Sequence, residues 1–88
     1  MTEYEIYKQI DELCKKFNIR PCAIGIEPTL QYGQDAYYSL SSKYIYFNRK
    51  HLDRITPSIV AHEFAHYLND TRNTIKEKIR ALSQQLKT

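Results

Sequence analysis

The segment Ala61-His62-Glu63-Phe64-Ala65-His66 places two histidines four residues apart, with a glutamate directly after the first. On an α-helix, residues four apart lie on one face about one turn apart, so both imidazoles can bind the same ion. Imidazole nitrogens are typical zinc ligands, at about 2.0–2.1 Å from the metal. Glu63 can then act as a general base toward metal-bound water without ligating the metal. The spacing therefore predicts that His62 and His66 bind Zn²⁺ and that Glu63 activates water to attack a carbonyl.

Two of the three histidines in the chain belong to this HExxH pattern. The pattern also lies on a segment that has its own helix signal. Thr56 offers an N-cap hydroxyl, and Pro57 suits the first helical position. An ordinary helix that happens to carry two histidines is the alternative interpretation. The coincidence of spacing and helix start favours the metal site.

A catalytic zinc site usually has a third protein ligand and one open position for water. We predict that the chain reverses at about residues 70 to 73, so that a second helix runs antiparallel to the first. His66 and Glu77 would then lie at similar distances from the turn, which favours Glu77 as the third ligand. Three other residues remain as alternatives: Asp70, Cys22 and His51.

The elements that must position this site follow from hydrophobic periodicity. A helix is predicted over residues 2–17, with Thr2 and Glu5 as a capping box. A strand over residues 21–27 and a hairpin of residues 36–40 and 43–47 follow. Helices are then predicted over residues 57–69 and from about 73 to 86. The last helix has an apolar stripe formed by Ile75, Ile79, Leu82 and Leu86.

The expected fold is a single α+β domain spanning residues 1–88. It comprises an N-terminal helix, a small three-stranded and mainly antiparallel sheet, an active-site helix and an antiparallel C-terminal helix.

The motif and the order of elements resemble the gluzincin metallopeptidases, most closely the minigluzincins, which are single-domain peptidases of about this size. The resemblance covers most of the chain in element order, but only Ala61 to Asp70 in residue detail. It implies that His62 and His66 are zinc ligands, that Glu63 is the base, and that Glu77 on a following helix is the third ligand. The larger gluzincins separate the motif from this glutamate by more residues, so Glu77 matches by position alone.

The resemblance also implies how a peptide substrate would bind. Zincins commonly dock a peptide alongside an edge strand above the metal, which is a form of β-augmentation. The segment Lys43 to Asn48 is the candidate edge strand. A developing oxyanion would need an electrophile besides zinc. Four residues are candidates for that role: Tyr44, Tyr46, Tyr67 and His51.

Composition limits the classes of function. The chain of 88 residues is 42% hydrophobic and 26% charged, and no apolar run approaches the length that a membrane span needs. The polar N-terminus lacks the build of a signal peptide, so we expect an intracellular, cytoplasmic protein that does not bind membranes. Small cores of this size are often supplemented by metals or by self-association. The net charge of +3 is weak support for nucleic-acid binding, because basic residues on the last helix are more typical of a solvated face.

These observations predict a zinc-dependent peptidase that hydrolyses peptide bonds with metal-activated water. One alternative is a regulatory or latent metal-binding module on a zincin scaffold, without strong proteolysis. The other is a small basic protein that binds nucleic acid through its final helix.

Overall fold

The computed structural model describes residues 1–86, except for the side chain of Leu86, and Lys87 and Thr88 lie outside the described part. Along the chain, one long helix precedes the three strands and another follows them, and two short 3-10 helices lie between the two long helices. In chain order the elements are helix α1 (Glu3–Lys16), strand β1 (Ala23–Glu27), a 3-10 helix (Gln31–Gly33), strands β2 (Ala36–Tyr38) and β3 (Tyr44–Asn48), a second 3-10 helix (Arg49–Arg54) and helix α2 (Pro57–Leu86). The predicted α+β class is confirmed.

Helix α1 begins with the predicted capping box. The Thr2 hydroxyl accepts from the backbone N–H of Glu5 at 3.1 Å, and the Glu5 carboxylate accepts from the backbone N–H of Thr2 at 2.9 Å. Asn18, with φ of 51°, turns the chain just after the helix ends. Ile6 and Ile10 are buried against the core, so α1 covers part of the sheet.

The sheet is mixed, with the strand order β1-β3-β2. β1 pairs with β3 in parallel from Ala23↔Tyr44 to Glu27↔Asn48, whereas the antiparallel β2–β3 pairing covers only residues 36–38. The expectation of a mainly antiparallel sheet is therefore wrong. So is the expectation that Lys43 to Asn48 forms an edge, because β3 is the central strand. The physical reason is that the parallel register brings the apolar residues of β1 and β3 into one layer.

Within residues 1–86, the helices cover one face of the sheet. Ile45 and Phe47 of β3 are fully buried on this inner face, where they join Val60 and Phe64 of α2 in the core. The alternation along β3 places Tyr44 and Tyr46 on the opposite, outer face. The predicted division of β3 into these two faces is confirmed.

The predicted turn at residues 70 to 73 is absent, because α2 continues as one helix from Pro57 to Leu86. No glycine or proline interrupts this stretch. The Asp70 carboxylate, which we expected to help turn the chain, instead binds side chains of the sheet. The Thr74 hydroxyl donates to the backbone carbonyl of Asp70 at 3.0 Å and so fits the helical backbone. The predicted antiparallel C-terminal helix is thus the continuation of the active-site helix.

The guanidinium group of Arg72 lies over the Phe17 ring, and α2 is exposed over residues 75–85 beyond it. We call residues 75–86 the arm. Ile75, Ile79 and Leu82 on the arm are 51%, 58% and 59% exposed. The radius of gyration is 15.5 Å, against about 12 Å for a compact domain of this length. Among residues 1–86, no helix combines the length and apolar character that a membrane crossing requires.

Candidate functional site

Helix α2 starts at the predicted position and presents the HExxH histidines to solvent. The Thr56 hydroxyl accepts from the backbone N–H of Ile59 at 3.3 Å, as an N-cap does. Val60 and Phe64 fix the rotation of the helix by packing in the core. His62 and His66 consequently lie on the exposed side of α2.

The two histidine rings lie close together, with their Nε2 atoms adjacent. The Nε2 atoms of His62 and His66 are 3.3 Å apart, and the ring planes are nearly perpendicular, at 89°. Two imidazole nitrogens at 2.0–2.1 Å from a tetrahedral zinc ion are separated by about 3.3–3.4 Å. In the metal-free protein, the same separation allows one ring to donate a hydrogen bond to the other. The separation of the two Nε2 atoms therefore matches that of two ligand nitrogens in a tetrahedral zinc centre.

Glu63 lines a cleft of about 350 Å³ together with His62. The opposite wall comes from the start of β2, where Asp35 and Ala36 face the helix across the opening. Glu63 is partly buried, whereas the histidines beside it are exposed. The cleft between α2 and β2 thus places Glu63 beside the start of β2.

Asp35 lines the cleft, and the sequence analysis did not identify it as a candidate. Its Oδ1 atom lies 2.8 Å from His51 Nδ1 and 3.8 Å from Arg54 Nε. The buried Asn48 supports the same loop by donating to the backbone carbonyl of Gln34 at 3.0 Å. No local motif signals this arrangement, because the partners of Asp35 come from a later segment of the chain.

The structure does not bring Glu77 to the histidines. Glu77 follows His66 by eleven residues on the same helix, which places it about 16 Å further along the axis. Within residues 1–86, no group of three or more His, Cys, Asp and Glu side chains is positioned to hold a metal ion. The two histidines are therefore the part of the predicted ligand set that the structure assembles.

Asp70, an alternative third ligand, is engaged elsewhere. Its Oδ2 atom accepts from Lys43 Nζ at 2.7 Å and from the Tyr38 hydroxyl at 2.6 Å. These two bonds, with the Lys43 bond as the larger effect, hold the pKa of Asp70 below its usual value. Its carboxylate joins the helix to the sheet.

Cys22, the second alternative, is a poor ligand in this state. Burial raises the pKa of its thiol to about 12, so the thiolate that binds metals is not formed near neutral pH. The Cys22 Sγ–H donates to the backbone carbonyl of Ala23 at 3.4 Å. Both Cys14 and Cys22 are free thiols.

The residues expected to stabilise an oxyanion lie away from the cleft. Tyr44 and Tyr46 are on the outer face of the sheet, and the Tyr67 hydroxyl donates to the backbone carbonyl of Arg20 at 2.6 Å. His51, also considered as a ligand, contacts the cleft only through Asp35. The sequence contains eight tyrosines and offered no basis for choosing among them.

The edge strand beside the cleft is β2. The backbone N–H of Ser39 donates to Tyr44 and that of Asn48 donates to Asp35, each at 2.9 Å. Because hydrogen-bonded pairs alternate along an antiparallel ladder, residues 35, 37 and 39 direct their backbone groups toward β3. The backbone N–H and C=O groups of Ala36 and Tyr38 therefore point to the free edge.

The start of β2, Glu63 and His62 thus line one cleft, and His66 lies beside His62 on the exposed side of α2. A comparison with known protein families and with curated protein sequences finds no match for this chain.

Proposed function

We propose that this protein is a zinc-dependent peptidase whose metal is held by His62 and His66 and whose general base is Glu63. The observation that carries the proposal is the 3.3 Å separation of the two Nε2 atoms on a helix that also carries the adjacent glutamate. Zinc bound there would lower the pKa of its water toward about 7 and polarise a carbonyl. The position of Glu63 in the same cleft as His62 supports its role as proton acceptor.

The chain itself supplies substrate binding and proton transfer. An extended peptide would pair with the free backbone groups of Ala36 and Tyr38, which aligns its carbonyls along α2. The Glu63 carboxylate would take the proton of the attacking water and deliver it to the leaving amine. Asp70 holds β2 against α2 through Tyr38, so the width of the cleft depends on that contact.

The decisive experiment compares cleavage of a peptide mixture by zinc-loaded wild type and Glu63→Gln, with bound metal measured in parallel. We expect the variant to retain zinc and to lose at least about a hundredfold in cleavage, because general-base catalysis contributes about 10²–10⁴. Glu12→Gln on the exposed part of α1 is the matched control and should cleave normally. Undiminished cleavage by Glu63→Gln would refute this mechanism.

A second candidate is a module that binds metal without cleaving peptides. The observation that favours it is the absence, among residues 1–86, of a third protein ligand near the histidines. Zinc binding that His66→Ala abolishes, together with no cleavage by wild type, would select this candidate. Glu77→Ala tests whether Glu77 binds the metal together with His62 and His66. On the straight helix it should leave zinc affinity unchanged, whereas loss of zinc would mean that α2 bends to bring Glu77 to the site.

A further inference from the structure

The outer face of the sheet carries a cluster of aromatic side chains that no helix or strand of the described residues covers. Tyr37 of β2 lies directly opposite Tyr46 of β3, and their ring centroids are 5.1 Å apart in a stacked arrangement. The Tyr44 ring also stacks on the Tyr46 ring, and their centroids are 5.6 Å apart. The three rings form a continuous aromatic surface on the side of the sheet away from α1 and α2.

Gly25 of β1 allows this surface to lie close to the backbone. A Cβ atom at this position would lie 2.7 Å from Tyr46 Cδ1, which is shorter than any normal contact. The Tyr46 ring therefore occupies the space of the missing side chain. The ring is fixed by the sheet beneath it and by the stacked rings beside it, so the surface is preformed.

A cavity of about 620 Å³ opens between this surface and the loop after β1. Tyr37 and Tyr46 form one wall, and Tyr32, Gln31 and Gln34 belong to the opposite loop. Tyr32 has φ of 59° and its side chain is 96% exposed. A non-glycine residue in this left-handed region is strained, and such strain is concentrated at ligand-binding sites. Within residues 1–86, the Tyr32 side chain makes no ring contact or hydrogen bond that would offset this backbone strain.

The charge of this cavity selects the class of ligand. Glu27 lines it, and no Lys, Arg or His of the described residues does. Glu27 forms no ion pair within residues 1–86 and extends along the outer face, with Oε1 3.4 Å from where a Gly25 Cβ would lie. The faces of tyrosine rings attract cations, and a nearby carboxylate adds to this attraction. The same features disfavour a phosphate or a nucleic acid.

The cavity adjoins the edge where a peptide would dock. Tyr37 belongs to β2, and Gln34 lines both this cavity and the cleft that holds His62. In an extended chain, successive side chains point to opposite faces of the sheet. A peptide paired with Ala36 and Tyr38 would therefore direct one side chain toward α2 and the next toward the tyrosines.

We propose that the cavity formed by Tyr32, Tyr37, Tyr46 and Glu27 binds the lysine or arginine side chain of an extended peptide that pairs with β2. The ammonium or guanidinium group lies over the tyrosine rings and is attracted by the Glu27 carboxylate at the far side of the cavity. The role of this cavity as a specificity site of the peptidase rests on the proposed function. As a binding site, it requires neither zinc nor cleavage.

The test is an NMR titration of the full-length, metal-free protein with two capped pentapeptides, Ala-Ala-Lys-Ala-Ala and its norleucine counterpart. We expect the lysine peptide to bind about fivefold more tightly, and to shift the ring signals of Tyr37 and Tyr46. Glu27→Gln and Tyr32→Ala should each remove this preference by weakening the binding of the lysine peptide. Both residues are exposed, so neither variant should disturb folding.

Matched controls are Glu12→Gln and Tyr4→Ala on α1, which should keep the fivefold preference. Equal binding of the two peptides would overturn the proposal, as would a preference that survives Glu27→Gln and Tyr32→Ala. A neutral oligosaccharide that shifts the same rings where the lysine peptide does not would also overturn it.

Failure of the proposed function would give a different result. If wild type binds the lysine peptide with the expected preference but zinc-loaded protein cleaves nothing, the binding site stands and the peptidase does not. If zinc-loaded protein cleaves peptides without preference for a basic residue and the titration shows none, the peptidase stands and this site does not.

Discussion

The Tyr38 hydroxyl donates to Asp70 Oδ2 at 2.6 Å and thereby connects the edge strand to the helix that carries the two histidines. Lys43 Nζ contacts the same oxygen at 2.7 Å, so the turn before β3 is held at the same point. Hydrogen bonds to a charged acceptor are stronger than those between neutral groups. Asp70 is therefore a positioning residue that sets the distance between β2 and α2.

Tyr38→Phe should loosen this connection without removing the ring from the core. We expect a loss of about 1–2 kcal/mol in the free energy of unfolding, measured by urea denaturation, because one hydrogen bond to a carboxylate is lost. Cleavage should fall through a higher KM, since the edge that binds the peptide is less well fixed. Tyr7→Phe on the exposed face of α1 is the control and should change neither quantity.

Asp70 also makes stability depend on pH in the acid range. Lys43 first and Tyr38 second lower the pKa of Asp70 in the folded protein below its value in the unfolded chain. Its contribution is therefore complete above the unfolded pKa of about 3.9, and it is lost as the pH falls toward the folded pKa. The difference in unfolding free energy between wild type and Asp70→Asn should shrink as the pH falls from about 5 to below the unfolded pKa of about 3.9. A constant difference across this range would show that the ionised carboxylate is not what stabilises the contact.

Local sequence signals predicted the parts of the fold that depend on neighbours along the chain. The capping box of Thr2 and Glu5 and the N-cap at Thr56 identified both helix starts. The helical spacing of His62 and His66 predicted that the rings would meet. In each case the determining contacts lie within four residues.

The features that sequence analysis missed depend on contacts between distant segments. Asp70 was expected to help turn the chain, but Tyr38 and Lys43 bind its carboxylate, and α2 continues. The Asp35–His51 pair joins residues from opposite ends of the hairpin. The parallel pairing of β1 with β3 likewise has no local signal, and it made β2 the edge.

Gly25→Ala should destabilise the protein even though Gly25 lies in a regular strand. The added methyl group would overlap the Tyr46 ring at 2.7 Å, and the ring is confined by Tyr37 and Tyr44. Forcing an atom into a packed site costs about 1–3 kcal/mol, which a thermal or urea denaturation curve would resolve. The double variant Gly25→Ala, Tyr46→Ala should lose this clash. If Gly25→Ala lowers the free energy of unfolding as much in the Tyr46→Ala background as in wild type, the added methyl group does not clash with the Tyr46 ring.

Cys22 should react slowly with alkylating reagents. Its pKa of about 12 means that little thiolate is present at pH 8, and burial limits access further. Rates of iodoacetamide labelling, followed by mass spectrometry in a Cys14→Ala background, should be far below those of the urea-unfolded chain. Cys22→Ala should retain zinc. A loss of zinc in this variant would instead make Cys22 a ligand, with a thiolate that the metal stabilises.

Removal of the arm tests whether its apolar stripe contacts the body. Ile75, Ile79 and Leu82 are more than half exposed, so a chain ending at Thr74 should keep its core and lose only helical signal. We expect far-UV circular dichroism to fall while Tm changes by less than about 4 °C, the shift that about 1 kcal/mol produces in a small domain. Leu68→Ala in the buried part of α2 is the contrasting variant, because truncating a buried leucine side chain costs about 2–5 kcal/mol. A truncated chain as unstable as Leu68→Ala would mean that the arm folds back onto the body, which would also bring Glu77 toward the histidines.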